Sequence, residues 1–204
     1  AETYVAQRID LMVLGAPLGV PAPTRFADLV QPEWKDRFSS GDPFSSGTTF
    51  TTVSAWNLLY GPEFLSSLRA NGWVMAGGNS AVMGRIESRE RPIGVVLLNN
   101  LLAKPGNNII FPADGAIPIP GLMAIPTDCP EKQAAEQVVD WLLGPSAQDL
   151  IVQSRMHSPF PGIPAPVGAP PLDQIRLAAL PEDFIVQMAH GADDLRSRME
   201  AIQK

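Results

Sequence analysis

The chain has 204 residues, of which 45% are hydrophobic and 18% charged, a composition that builds a core and excludes a disordered chain. Its formal charge of −6 argues against a nucleic-acid partner. No run approaches the ~20 apolar residues of a membrane span, and a lone cysteine, Cys129, excludes an internal disulfide.

The opening "AETYVAQRID" lacks the basic region and apolar run of a signal peptide. "RIDLMVLG" predicts a short buried strand ending at Gly15. "APLGVPAP" is a stiff connection, "TRFADLV" one helical turn and "QPEWKDRF" a further turn. After "GDPFSSGTTFT", apolar residues at Phe50, Val53, Trp56 and Tyr60 fall at helix spacing, and Gly61 ends the run. "PEFLSSLRANG" predicts a second helix and "WVMAGG" a short strand, after which Asn79 or Ser80 caps a third helix. "RPIGVVLLNN" reads as one strand buried on both faces. "NNIIFPADG" and "IPIPGLMAIP" predict further strands. Two helices follow, "PEKQAAEQVVDWLLG" and "PSAQDLIVQSR", each with proline at its start. A proline-rich extended segment then leads to one final helix, "PEDFIVQMAHGADDLRSRMEAIQ". Strands alternating with helices predict an α/β fold.

The sequence holds no phosphate-loop or dinucleotide fingerprint and no G-x-S-x-G elbow. Its two histidines, His157 and His190, have no metal-ligand spacing, and Cys129 has no base near it in sequence. Neither catalysis nor a metal or cofactor site is therefore expected. Residues Gly41 to Thr51 pose a sharper question. Helix first-turn N–H groups lack intrahelical partners and carry partial positive charge. Ser45, Ser46, Thr48 and Thr49 surround such an end, and Gly47 opens its backbone to an approaching group. The pattern suits a phosphate, phosphonate or carboxylate, and it equally suits plain helix capping.

The order of segments carries a resemblance. "PAPTRFADLVQPEWKDRFSSGDPFSSGTTFTTVSAW" resembles bacterial extracellular solute-binding proteins of the ferric-iron, phosphonate and sugar-phosphate class, which serve ABC transporters. In that family a P-x-[ST]-[WF]-x-D-L-x-x-P-x-[WY]-[KR] run, here Pro23 to Lys35, precedes a D-P-x-x-S-G-T loop, here Asp42 to Thr48. "GGNSAV", "RERPIGVVLLNN", "FPADGAIPIPGLMAIP" and "AAEQVVDWLLGPSAQDLI" resemble later family segments in the same order.

The resemblance implies a type II periplasmic-binding-protein-like α/β fold with one complete lobe and the C-terminal part of the other. It divides the chain into a hinge strand region (1–15), lobe II with the SSGT loop (16–114), and a return segment with the C-terminal part of lobe I (115–204). Family members carry further N-terminal sequence that builds most of lobe I, so the chain is expected to begin near the first hinge strand. The implied function is periplasmic or extracellular binding of a small anionic solute for an ABC transporter permease; the alternative is a ligand-sensing domain with a signalling partner. Ligand-binding residues are expected at Ser45, Ser46, Gly47, Thr48, Thr49, Asn79, Ser80, Asn99, Asn100 and Asp114. Iron-binding members place adjacent tyrosines where this chain has Asn99 and Asn100, and neutral amides are poor ligands for hard ferric iron. Asn side chains suit hydroxyls, and Asp114 is expected to accept hydrogen bonds from hydroxyls or an amine, or to form a turn. Without the rest of lobe I, "GLMAI", the Val138–Leu142 helix and the final helix are expected to expose apolar faces, which a homodimer would cover.

Overall fold

The structure, a computed structural model, describes residues 4–203; the first three residues of the expected hinge region lie outside the described residues. One sheet organises the chain around β1 (Val5–Pro17), longer than the predicted strand, because its branched and apolar residues extend through Ala16. β1 pairs antiparallel with β4 (Ile93–Leu97), from Met12 opposite Leu97 to Gly15 opposite Gly94. Along its other edge lie β5 (Asn107–Ile110) and β6 (Ile117–Met123), both antiparallel to it. β2 (Phe38–Ser40) pairs parallel with β4, and β3 (Val74–Met75) pairs parallel with β2.

Alternation along the strands separates two cores. Met12, Leu14, Ile93 and Val95 face one side, packed with α1 (Gly47–Tyr60) and α2 (Pro62–Ala70). Leu11, Val13 and Val96 face the other, packed with α3 (Asn79–Ser88) and α4 (Leu98–Leu102). On that second face Gly15 and Gly94 are register partners. A Cβ on Gly15 would lie 2.4 Å from Leu101, and one on Gly94 would lie 2.4 Å from Ile86. The bare backbone of this glycine pair is what lets α3 and α4 lie close on the sheet.

α4 corrects the reading of "RPIGVVLLNN" as one strand. The strand stops at Leu97, and Leu98 to Leu102 turn into a helix with no side-chain cap. A continuous apolar run satisfies either conformation, so its periodicity could not reveal the switch. The third helix starts at Asn79 after Gly78, so neither Asn79 nor Ser80 is its cap.

Past β6 come α5 (Lys132–Leu143) and α6 (Pro145–Gln153). The proline-rich segment touches the sheet where His157 bridges Ile9. The expected single final helix is two, α7 (Phe184–His190) and α8 (Ala192–Gln203), broken at Gly191. These helices do not expose their apolar faces as expected. Phe184, Leu195 and Met199 are buried in the same core as Trp56, and the Arg196 guanidinium lies 5.2 Å over the Phe50 ring. Residues 184–203 therefore pack into the core beneath α1 and α2, which Ile117, Ile119, Ala178 and Leu180 also join. α5 buries none of its residues, and Val138 and Trp141 are each 57% exposed, as expected for that helix.

Candidate functional site

The strands β2, β3 and β4 run parallel, so their carboxyl ends share one edge of the sheet. Each is followed there by a helix start: α1 after β2, α3 after β3, α4 after β4. In open α/β sheets this edge is where ligands bind, because the helix dipoles point their positive ends at it.

The loop into α1 is tightly built. Trp73 Nε1 donates to Ser40 Oγ at 2.9 Å and fixes the end of β2. The Asp42 carbonyl accepts from the N–H groups of Ser45 and Ser46, and its carboxylate accepts from Phe44 N and Ser45 Oγ. Ser46 caps α1: its Oγ accepts from Thr49 N at 3.3 Å and from Thr49 Oγ1 at 3.1 Å. Capping and turn formation thus occupy Ser45, Ser46 and the buried Thr49, and the hydroxyl cluster does not supply independent donors. Gly47 and Thr48, ahead of the first intrahelical bond, keep N–H groups directed out of the helix end. Gly47 is exposed.

Asn79 ties this end to the next strand. Its Nδ2 donates to Thr48 Oγ1 at 3.4 Å, and its Oδ1 accepts from Leu97 N at 3.3 Å. Ser80, beside it on α3, is exposed. Asn99 and Asn100 lie half-buried in α4, and the Asn99 Oδ1 is buried without a partner. The expected residues Ser45 to Thr49, Asn79, Ser80, Asn99 and Asn100 therefore all lie at the helix starts along this edge.

Asp114 does not. Its carboxylate accepts from Phe26 N at 3.0 Å, Ala27 N at 2.9 Å and the Tyr60 hydroxyl at 2.7 Å. It holds the start of a 3-10 turn (Phe26–Val30) against the far end of α1. At a rise of about 1.5 Å per residue, Tyr60 is roughly 18 Å along α1 from Thr48. Asp114 is a structural acceptor at the wrong end of the helix for a site at Thr48. Burial, followed by the Asp114 carboxylate, pushes the Tyr60 pKa up and keeps it a phenol.

The residue that sequence reasoning passed over is Asp10, on β1. It is only 5% exposed, and its Oδ1 accepts from Leu11 N at 2.8 Å. Burial raises its carboxyl to about 6, against the opposing pull of the Leu11 and Asn99 N–H groups and the Arg8 charge. The signal available was an acid directly abutting the apolar run Leu11 to Leu14. His157 is buried with Nε2 3.0 Å from the Pro170 carbonyl oxygen.

A family model described as bacterial extracellular solute-binding protein matches residues 14–188. No curated protein matches the chain. Among solved structures, a Bordetella ferric binding protein superposes with a TM-score of 0.78 at 18% identity, covering 98% of this chain and 70% of that one. Iron-bound HitA from Pseudomonas aeruginosa gives 0.80 at 18% identity, over 96% and 69% of the respective chains. A periplasmic thiamin binding protein gives 0.80 at 14% identity, over 99% and 66%. The fold is thus the mixed α/β fold of periplasmic binding proteins, and the chain spans 66–70% of the length of these relatives.

Proposed function

The chain belongs to the bacterial extracellular solute-binding proteins, and on that premise we propose that it holds a small phosphorylated or phosphonate-like anion at the start of α1 for delivery to an ABC transporter permease. Proteins of this family are non-catalytic and work outside the cytoplasm; among the described residues no helix is long and apolar enough to cross a membrane.

The observation that carries the reading is the Asn79 bridge. It joins the first turn of α1 to the end of β4 and sets the Thr48 hydroxyl and the Asn79 amide, which bond to each other, beside the open Gly47 and Thr48 N–H groups. Such a set matches the several acceptor oxygens of a tetrahedral anion. Ferric iron, which the Bordetella relative is named for binding, fits this chain poorly. Tyr60 is committed to Asp114, and Tyr4 is exposed ahead of β1, so neither tyrosine stands beside Asn99.

Calorimetry on the chain with inorganic phosphate, a sugar phosphate and ferric citrate tests this. Thr48→Val is expected to weaken phosphate binding by about tenfold, as the loss of one hydrogen bond to a charged group does. Micromolar iron binding with no response to any phosphorylated compound would sink the reading.

The exposed α5 face supports a partner as well. Val138 and Trp141 lie one helical turn apart, and Leu150 on α6 is 52% exposed. Apolar surface of this kind is uncommon on monomers, and a second copy of the chain would cover it. Sedimentation at low micromolar concentration is expected to show a dimer that Trp141→Ser dissociates. A wild-type monomer without concentration dependence would contradict it.

A further inference from the structure

We propose that the proline-rich segment after α6 forms a second ligand site, one for a small organic amine with an apolar body. The site shares no residue with the helix starts that hold the anion. The segment lines a cavity of about 530 Å³ between His157 and Leu177, within the roughly 300–1,000 Å³ of small-molecule sites. His157 anchors one end, since its N–H and its carbonyl both bond to Ile9 on β1. Further along, Ala169 and Leu172 pack against the core beneath α3 and α4, so the segment is held to the sheet on both sides of the cavity.

The wall of this cavity is rich in acceptors and poor in donors. Four of its thirteen residues, Pro159, Pro161, Pro164 and Pro171, have no N–H. The Phe160 N–H is taken by Ser158 Oγ. The side-chain donors are spent as well. Ser158 Oγ donates to Gln148 Oε1 at 2.7 Å, and His157 Nε2 lies 3.0 Å from the Pro170 carbonyl oxygen. A carbonyl oxygen only accepts, so that nitrogen carries the proton, and Nδ1 of the neutral ring is then a bare acceptor. It is buried without a partner. Asp173 is the one charged side chain on the wall, with no Lys, Arg or His within ion-pair distance among the described residues. The uncommitted side-chain groups are therefore a carboxylate and a neutral acceptor.

This lining selects the sign of a ligand. A phosphate or carboxylate would meet the like charge of Asp173 and find no free side-chain donor. A neutral molecule would fill the space and leave the carboxylate unpaired. An ammonium group supplies three donors and the opposite charge. Phe160, exposed on the same wall, offers a ring face that attracts a cation. Leu172, Leu177 and the proline rings provide apolar surface for the rest of the molecule.

Calorimetry at pH 7.5 on the full chain, with phenethylamine and its uncharged counterpart 2-phenylethanol, tests the assignment. Wild type is expected to prefer the amine by about fivefold or more, the combined order of one exposed ion pair and one cation–ring contact. Asp173→Asn is expected to cut that preference to about twofold, the part left to the Phe160 ring, without changing affinity for the alcohol. Phe160→Leu is expected to weaken both compounds, and the amine more. Both side chains are exposed, so neither variant disturbs a core. Thr48→Val and saturating inorganic phosphate are expected to leave amine binding unchanged. Loss of amine binding under either condition would move the amine to the start of α1 and overturn the second site. No binding of the amine, equal binding of amine and alcohol, or a preference unaltered by Asp173→Asn would also overturn it, and each of these leaves the anion site standing.

Discussion

Trp56→Ala is expected to destabilise the chain by about 3–5 kcal/mol, the range for deleting a fully buried indole. Trp56 has no exposed surface and sits at the middle of the core beneath α1. Phe26 packs against it edge-on at 5.4 Å between ring centres, Trp73 at 5.8 Å and Phe64 at 6.0 Å. These partners come from the 3-10 turn, from α2 and from the approach to β3, so none can collapse into the gap without moving its own element. The loss is a large part of the roughly 5–15 kcal/mol that stabilises a typical domain. The indole N–H has no partner, so no hydrogen bond contributes to the cost. Trp56→Phe is therefore expected to be milder, at about 1–3 kcal/mol, because it removes volume alone. Urea denaturation of the three proteins measures both differences. A loss below about 1 kcal/mol for Trp56→Ala would show that the aromatic cluster is not the centre of the fold.

What the sequence revealed, and what it hid, follows from how local each interaction is. α1 was legible because its signals lie within its own residues: Ser46 as cap, Phe50, Val53 and Trp56 at helix spacing, and Gly61, at φ 83°, to end it. The order of motifs was legible too, and the family match over residues 14–188 agrees with it. α4 was hidden, since Leu97 and Leu98 look alike while one ends a strand and the next starts a helix. The placement of α7 and α8 was hidden because amphipathic spacing says that a face is buried without saying against what. Asp114 misled for the same reason. Its N–H partners lie 88 and 87 residues away, and a turn-forming acid near a family motif gave no sign of them. Asp10 was overlooked because its burial beside the Leu11 and Asn99 N–H groups appears only when β1, β4 and α4 are assembled.

Asp10→Asn is expected to stabilise the protein at neutral pH, on the order of 2–3 kcal/mol, and to do almost nothing in acid. The direction follows from linkage. Burial raises the Asp10 carboxyl from 3.8 to about 6, so the folded chain holds this proton more tightly than the unfolded chain does. Stability from that proton is fully present below the unfolded value of 3.8 and is lost as pH rises through about 6, where the carboxylate must ionise in a dry site. Asparagine keeps the shape and never ionises. The gain over wild type should therefore be small near pH 4, grow through pH 5 to 6 and level off above pH 7. Thermal unfolding of both proteins across that range reads the difference directly, and the other carboxylates cancel in the comparison. A gain of the same size at pH 4 and pH 7.5 would show that packing rather than charge is responsible.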